Sequence, residues 1–131
     1  MSEETFKKGL ERRTAVMGEA YVAQSMRNAP EFNSDFQRYL TENIWGTVWS
    51  GGAINSTRER ILITLSMVCA LGKTTEMKGH MRGALANGIT PEELKSVFFH
   101  AAGYAGMPAA LECFRAFHEV RTAWEAEASA G

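Results

Sequence analysis

Histidine is the side chain whose ordinary charge change lies nearest neutral pH, so the three histidines of this chain are the first candidates for proton chemistry. His80 has Glu76 four residues before it, which on a helix places carboxylate and imidazole on one face, where the acid can orient or charge the ring. The same spacing also describes an ordinary surface pair. His100 and Tyr104 repeat the interval in a stretch where Ala101, Ala102, Gly103, Ala105 and Gly106 allow close helix contact. From its surroundings alone His100 reads as a satisfied core residue. His118, beside Glu119 and Arg121, reads as solvated surface.

Arg58 and Arg60 bracket the start of an apolar run, where one of them could present a planar fork to a carboxylate while the other stays on the surface. Trp45 and Trp49, four apart, are expected to pack together under a Gly51-Gly52 turn, as core or interface rather than as a ligand cage. No HExxH, no cysteine pair at ligand spacing and no phosphate-cradling glycine loop occurs, so metal ligation and nucleotide binding are poorly served. Cys69 and Cys113 sit in apolar helical patterns and read as small buried core residues rather than reactive thiols.

The elements that position these residues are helices. No stretch shows sustained alternation of apolar and polar residues, whereas helical spacing and caps recur throughout. A first helix is expected near residues 2–16, closed by Gly18, and a short one near residues 21–27. Pro30 is expected at the first position of a helix that carries Phe32, Phe36, Tyr39, Leu40 and Ile44 on one face. Ser56-Thr-Arg-Glu59 has capping-box spacing and starts the run Ile61, Leu62, Ile63, Leu65, Met67, Val68, Cys69 and Leu71, apolar all round and therefore expected at the centre of a bundle. Gly72 ends it. A helix over about residues 74–86 stops at Asn87-Gly88, Thr90-Pro-Glu-Glu93 caps the next, and the last begins near Pro108. The expectation is an all-α, single-domain helical bundle of about six or seven helices spanning residues 1–131.

Composition narrows the function classes. The 131 residues are 45% hydrophobic and 22% charged, ordinary globular usage. Fourteen Lys and Arg against fifteen Asp and Glu give a formal charge of −1, which offers no positive field for a nucleic acid. No apolar run approaches the roughly 20 residues of a membrane span. The start, Met1-Ser-Glu-Glu-Thr-Phe6, lacks the shape of a signal peptide, so a cytoplasmic protein is expected. Trp45, Trp49, Phe98, Phe99, Phe114, Phe117 and Trp124 compete for interior places in a chain of this size, and some are expected outside, at an interface.

Several of these segments together carry a resemblance: Arg60-Ile-Leu-Ile-Thr-Leu-Ser-Met67, Glu76-Met-Lys-Gly-His80-Met-Arg-Gly-Ala84, Asn87-Gly-Ile-Thr90-Pro-Glu-Glu93 and His100-Ala-Ala-Gly-Tyr104-Ala-Gly106-Met-Pro108. They resemble the carboxymuconolactone decarboxylase family, within the alkylhydroperoxidase-D-like superfamily. Glu11-Arg-Arg-Thr-Ala-Val-Met-Gly18 and Trp45-Gly-Thr-Val-Trp49 extend the likeness over nearly the whole chain. Superfamily members that act as disulfide reductases carry a CxxC ahead of the histidine matching His80. Here those positions are Lys73 and Glu76, which leaves dithiol chemistry without a nucleophile. Ser96 stands where the decarboxylases usually have Glu, and residues 55–59 also depart from their pattern.

The resemblance implies decarboxylation of a butenolide dicarboxylate. Its unsaturated lactone accepts the electrons released with CO2, so pyridoxal, thiamin or a metal is not required. It also implies a homo-oligomer, commonly a hexamer built as a trimer of dimers. On spacing and chemistry, Arg60 with Arg58 nearby suits a substrate carboxylate, His80 oriented by Glu76 suits proton delivery, and His100 or Tyr104 suits the lactone oxygen. Two alternatives stand beside this reading. One is a divergent paralogue acting on another lactone or keto acid, and the other is a non-catalytic helical assembly that binds a partner.

Overall fold

The computed structural model describes residues 2–130 and contains no strand among the described residues. Seven α-helices follow in order: α1 (Glu3–Met17), α2 (Glu19–Asn28), α3 (Ser34–Leu40), α4 (Thr57–Ala70), α5 (Thr74–Ala86), α6 (Pro91–Ala105) and α7 (Met107–Ala130). A 3-10 turn (Glu31–Asn33) precedes α3, and a π-helix (Thr41–Val48) follows it. The chain is all-α, as expected. It divides into two compact units, one ending at Arg60 and the other starting at Ile61.

In the first unit, the Ser2 side chain caps α1 by accepting the Thr5 N–H at 3.1 Å, and Gly18 ends the helix with φ 96°. Helix α1 lies directly on the π-helix, backbone against backbone. A Cβ on Gly9 would stand 2.0 Å from the Thr41 carbonyl oxygen, and one on Gly46 would stand 2.5 Å from the Thr5 carbonyl oxygen. Only hydrogen fits at either place. Arg13, buried on the same side of α1, donates from Nη1 to Gln37 Oε1 at 3.2 Å and to Thr41 Oγ1 at 3.0 Å, and burial lowers its pKa.

The continuous helix expected from Pro30 is instead wound in three pitches, with Pro30 capping the 3-10 turn rather than entering a helix. The physical reason is the approach to α1: the wide i→i+5 turn carries Thr41, Glu42, Trp45 and Gly46 inward. Phe32, at 93% exposure, and Phe36, Tyr39 and Ile44 are left exposed. In the same winding, residues four apart nearly eclipse. Trp45 and Trp49 accordingly stack with ring centroids 4.4 Å apart, both buried.

In the second unit, Ile61, Leu65 and Cys69 form the buried stripe of α4. Met77, Met81 and Ala84 of α5, Leu94 and Phe98 of α6, and Cys113, Ala116 and Phe117 of α7 complete the core, with Ile89 entering from the turn before α6. Phe98 meets Phe114 and Phe117 edge to face at 5.2 and 5.9 Å. Capping follows the sequence closely. Ser56 Oγ accepts the Glu59 N–H at 3.0 Å, and Thr90 and Glu93 form the full reciprocal box. Gly72 and Gly88 take positive φ where α4 and α5 stop.

Helix α4 departs from expectation. Its apolar residues read as enclosed on every side, yet Met67 and Leu71 are exposed and only the i, i+4, i+8 stripe is buried within the chain. Phe99, Met107 and Leu111 are also exposed.

The glycine contact yields a test. Gly9→Ala forces a methyl into a carbonyl that cannot yield, and it is expected to cost about 3 kcal/mol by the overpacking scale, read from urea unfolding, while Gly103→Ala, which meets nothing within 4 Å, leaves stability within about 0.5 kcal/mol.

Candidate active site

Helix α5 presents Glu76 and His80 on one face, Glu76 exposed and His80 half-buried. The ring's Nδ1 is buried. Burial holds the imidazole below the ordinary histidine value, and the Glu76 carboxylate pulls it part of the way back. A neutral ring with an acid poised to favour its charged form is the arrangement a proton donor or acceptor needs. The expected pair on one helical face is present, and it is more than a surface pair because the imidazole is largely out of water.

Helix α6 carries His100 and Tyr104, whose rings stack with centroids 4.9 Å apart and planes 22° from parallel. The expectation of a buried His100 is corrected here: it is exposed, and so is Tyr104. The reason is the phase of α6. Leu94 and Phe98 take the buried stripe, so a residue two positions past Phe98 turns away from the core. Both rings line a groove of about 430 Å³ with Ser66 and Ala70 of α4 and Ser96, Val97, Ala101 and Ala105 of α6. His80 and Glu76 are not among its lining residues.

Ser66 and Ser96 are the groove's additional polar groups. Each hydroxyl donates to its own helix, Ser66 to the Leu62 carbonyl at 2.7 Å and Ser96 to the Glu92 carbonyl at 3.3 Å, which leaves oxygen lone pairs as acceptors. Sequence reasoning marked Ser96 only as a departure and passed over Ser66. Their signal was helical spacing: Ser66 to Ala70 and Ser96 to His100 are both i,i+4.

The arginines belong to the first unit. Arg58 is exposed on the first turn of α4, as one of the two was expected to be. Arg60 is half-buried, donates from Nη2 to the Gly51 carbonyl at 2.8 Å, and keeps a buried Nε with no hydrogen-bond partner among the described residues. Gly52, at φ 83°, lets the guanidinium lie this close, since a Cβ there would be 3.3 Å from Nη2. His118 is exposed, as expected.

Cys69 and Cys113 are both fully buried and share a hydrogen bond that, ahead of burial, pushes the Cys69 thiol up. They are core thiols. No group of three or more His, Cys, Asp or Glu side chains arranged to hold a metal ion occurs among the described residues.

The profile of the carboxymuconolactone decarboxylase family matches residues 34–119 of this chain. A 4-carboxymuconolactone decarboxylase of Acinetobacter baylyi is 39% identical over 118 residues, covering 90% of this chain and 87% of that protein. A nitrosuccinic acid decarboxylase of Metarhizium robertsii is 36% identical over 107 residues, 82% of this chain and 74% of that protein.

The His80 environment sets an acid-side dependence. The native state favours the neutral ring, so the stabilisation is complete above the unfolded pKa of about 6.5 and is lost as pH falls through the lower folded value. NMR titration is expected to place His80 below 6.5, and Glu76→Gln to lower it further. An unchanged His80 titration in that variant counts against the coupling.

Proposed function

Since this chain belongs to the carboxymuconolactone decarboxylase family, we propose that it is a carboxy-lyase that converts 4-carboxymuconolactone to the β-ketoadipate enol-lactone in protocatechuate catabolism. The observation that carries this reading is the 39% identity to the Acinetobacter baylyi decarboxylase, spread over 90% of the chain. The half-buried, Glu76-facing imidazole supports it.

The chemistry asks three things of the protein. The bond from the ring carbon to its carboxylate breaks, CO2 leaves, and the electron pair passes through the ring double bond into the lactone carbonyl. A proton then joins the carbon next to that carbonyl. No external electron sink is needed. His80 delivers the proton, and Glu76 orients the ring and favours its protonated form. Arg60 holds the side-chain carboxylate with N–H groups that Gly51 does not take, and Arg58 adds positive charge at the same helix start. His100 and Tyr104 donate toward the lactone oxygen as it gains charge.

His100 and Tyr104 line a groove that excludes His80, which supports active sites near subunit boundaries in a homohexamer. The exposed Met67, Leu71, Phe99, Met107 and Leu111 supply an apolar surface for that assembly. No helix among the described residues is long and apolar enough to cross a membrane, and the proposed location is the cytoplasm.

The Metarhizium relative favours a second reading, a divergent paralogue. Nitrosuccinic acid also carries a carboxylate beside a carbon whose electrons can enter an acceptor in the substrate, there a nitro group, together with a second carboxylate. Ser96 at the groove, where the decarboxylases it resembles usually have Glu, is the local difference that bears on this choice.

The deciding experiment follows loss of the lactone's ultraviolet absorbance with purified protein and no added metal or cofactor, beside nitrosuccinate. Turnover of the lactone is expected, unaffected by chelators. His80→Gln is expected to lose at least about 100-fold in kcat with helical content retained, the scale of general acid catalysis. Near-normal rates in that variant remove His80 from the mechanism. Arg60→Lys is expected to raise KM about tenfold, and an unchanged KM removes it as the clamp. Light scattering tests assembly: a mass near six chains is expected, and a fully active single chain overturns it.

A further inference from the structure

Along α1, Lys8, Arg12 and Ala15 fall on one helical face, and with Ser50 and Glu11 they line an open pocket of about 330 Å³. Arg12 donates from Nη2 to the Asn55 carbonyl at 3.0 Å. Its Nε is buried and has no hydrogen-bond partner among the described residues. Arg60 repeats this arrangement at the other end of the same loop, with Nη2 on the Gly51 carbonyl and a buried Nε likewise without a partner. Two guanidinium groups thus grip residues 51–55, each using a fraction of its donors on a neutral carbonyl. A guanidinium that gives one N–H to a neutral carbonyl keeps further N–H groups of its planar fork for an anionic acceptor.

We propose that the pocket of Lys8, Arg12 and Ser50 is a carboxylate-binding subsite, with Arg12 as its principal ligand. Lys8 and Arg12 against Glu11 leave one net positive charge, which matches a single carboxylate group, and the planar guanidinium fork fits its two oxygens. Ser50 Oγ donates to the Trp45 carbonyl at 2.8 Å and so keeps its lone pairs for Arg12 or Lys8.

The assignment of that carboxylate to a reaction rests on the function proposed above. An ion pair on the carboxylate that leaves stabilises the ground state more than a transition state approaching neutral CO2, and so slows the reaction. Arg12, like Arg60, therefore belongs to the carboxylate that the substrate keeps.

Trp49, stacked on Trp45 and adjoining Ser50 in the chain, provides a fluorescence readout that needs no turnover. Succinate, succinamide and inorganic phosphate are titrated against the intact protein at constant ionic strength. Saturable binding is expected for succinate and not for succinamide, with phosphate weaker. Arg12→Gln is expected to weaken succinate binding at least tenfold, and Lys8→Met a few-fold. Arg12→Lys keeps a donor for Asn55 but has no planar fork, so it is expected to bind weakly with its melting temperature near that of the parent. It decides the matter should Arg12→Gln fail to fold. In turnover, Arg12→Lys is expected to raise KM about tenfold with kcat within threefold, a split that mere loosening of the loop does not produce.

Succinate affinity unchanged in Arg12→Lys, tighter binding of phosphate, or no saturable binding by the parent protein overturns the proposal. Succinate binding that depends on Arg12 in a protein inactive on the lactone refutes the proposed function and leaves the subsite standing. Lactone turnover with both KM and succinate affinity unchanged in Arg12→Lys does the reverse.

Discussion

The first unit depends on two backbones meeting without side chains between them. Gly9 faces the Thr41 carbonyl and Gly46 faces that of Thr5, so α1 and the π-helix approach more closely than any Cβ permits. Their separation governs the contacts along both elements. Arg13 reaches Gln37 and Thr41 because α1 is this near. The π winding that seats Gly46 also stacks Trp45 on Trp49 and delivers the chain into the loop of residues 51–55. Arg12 and Arg60 then close on that loop from either end.

The second unit relies on ordinary side-chain packing. Its core is assembled from single stripes of four helices, and the phase of each stripe decides which polar groups stay in water. On α6 the stripe of Leu94 and Phe98 turns His100 outward, beside Tyr104. On α5 the stripe of Met77, Met81 and Ala84 leaves His80 at its margin, half-buried. That margin is where imidazole chemistry is most adjustable: burial depresses proton affinity while a neighbouring carboxylate restores it.

The two relatives act on substrates with a shared requirement. Each carries its own electron acceptor next to the carboxylate that is lost, so the protein has only to hold, orient and protonate.

The local grammar of the chain was legible in its residues. Gly18, Gly72 and Gly88 stop helices, Ser56 and Thr90 start them, and the pairs Glu76/His80, His100/Tyr104 and Trp45/Trp49 fall on shared faces, because caps and i,i+4 spacing act within a few residues. The run of recognisable segments from Glu11 to Pro108 likewise carried the family. Which face of each helix is covered was settled only by folding. Phe32, Phe36, Tyr39 and Ile44, placed on one face of a single helix by their spacing, lie exposed, while the wide turn beside the close glycine contact carries Thr41, Glu42, Trp45 and Gly46 inward. Helix α4 reads as enclosed yet buries one stripe within the chain. The orphaned Nε atoms of Arg12 and Arg60, and the groove that gathers Ser66 with Ser96, depend on residues far apart in the chain. Periodicity states that a helix has an apolar face; only the neighbours it meets determine how much of that face is taken from water.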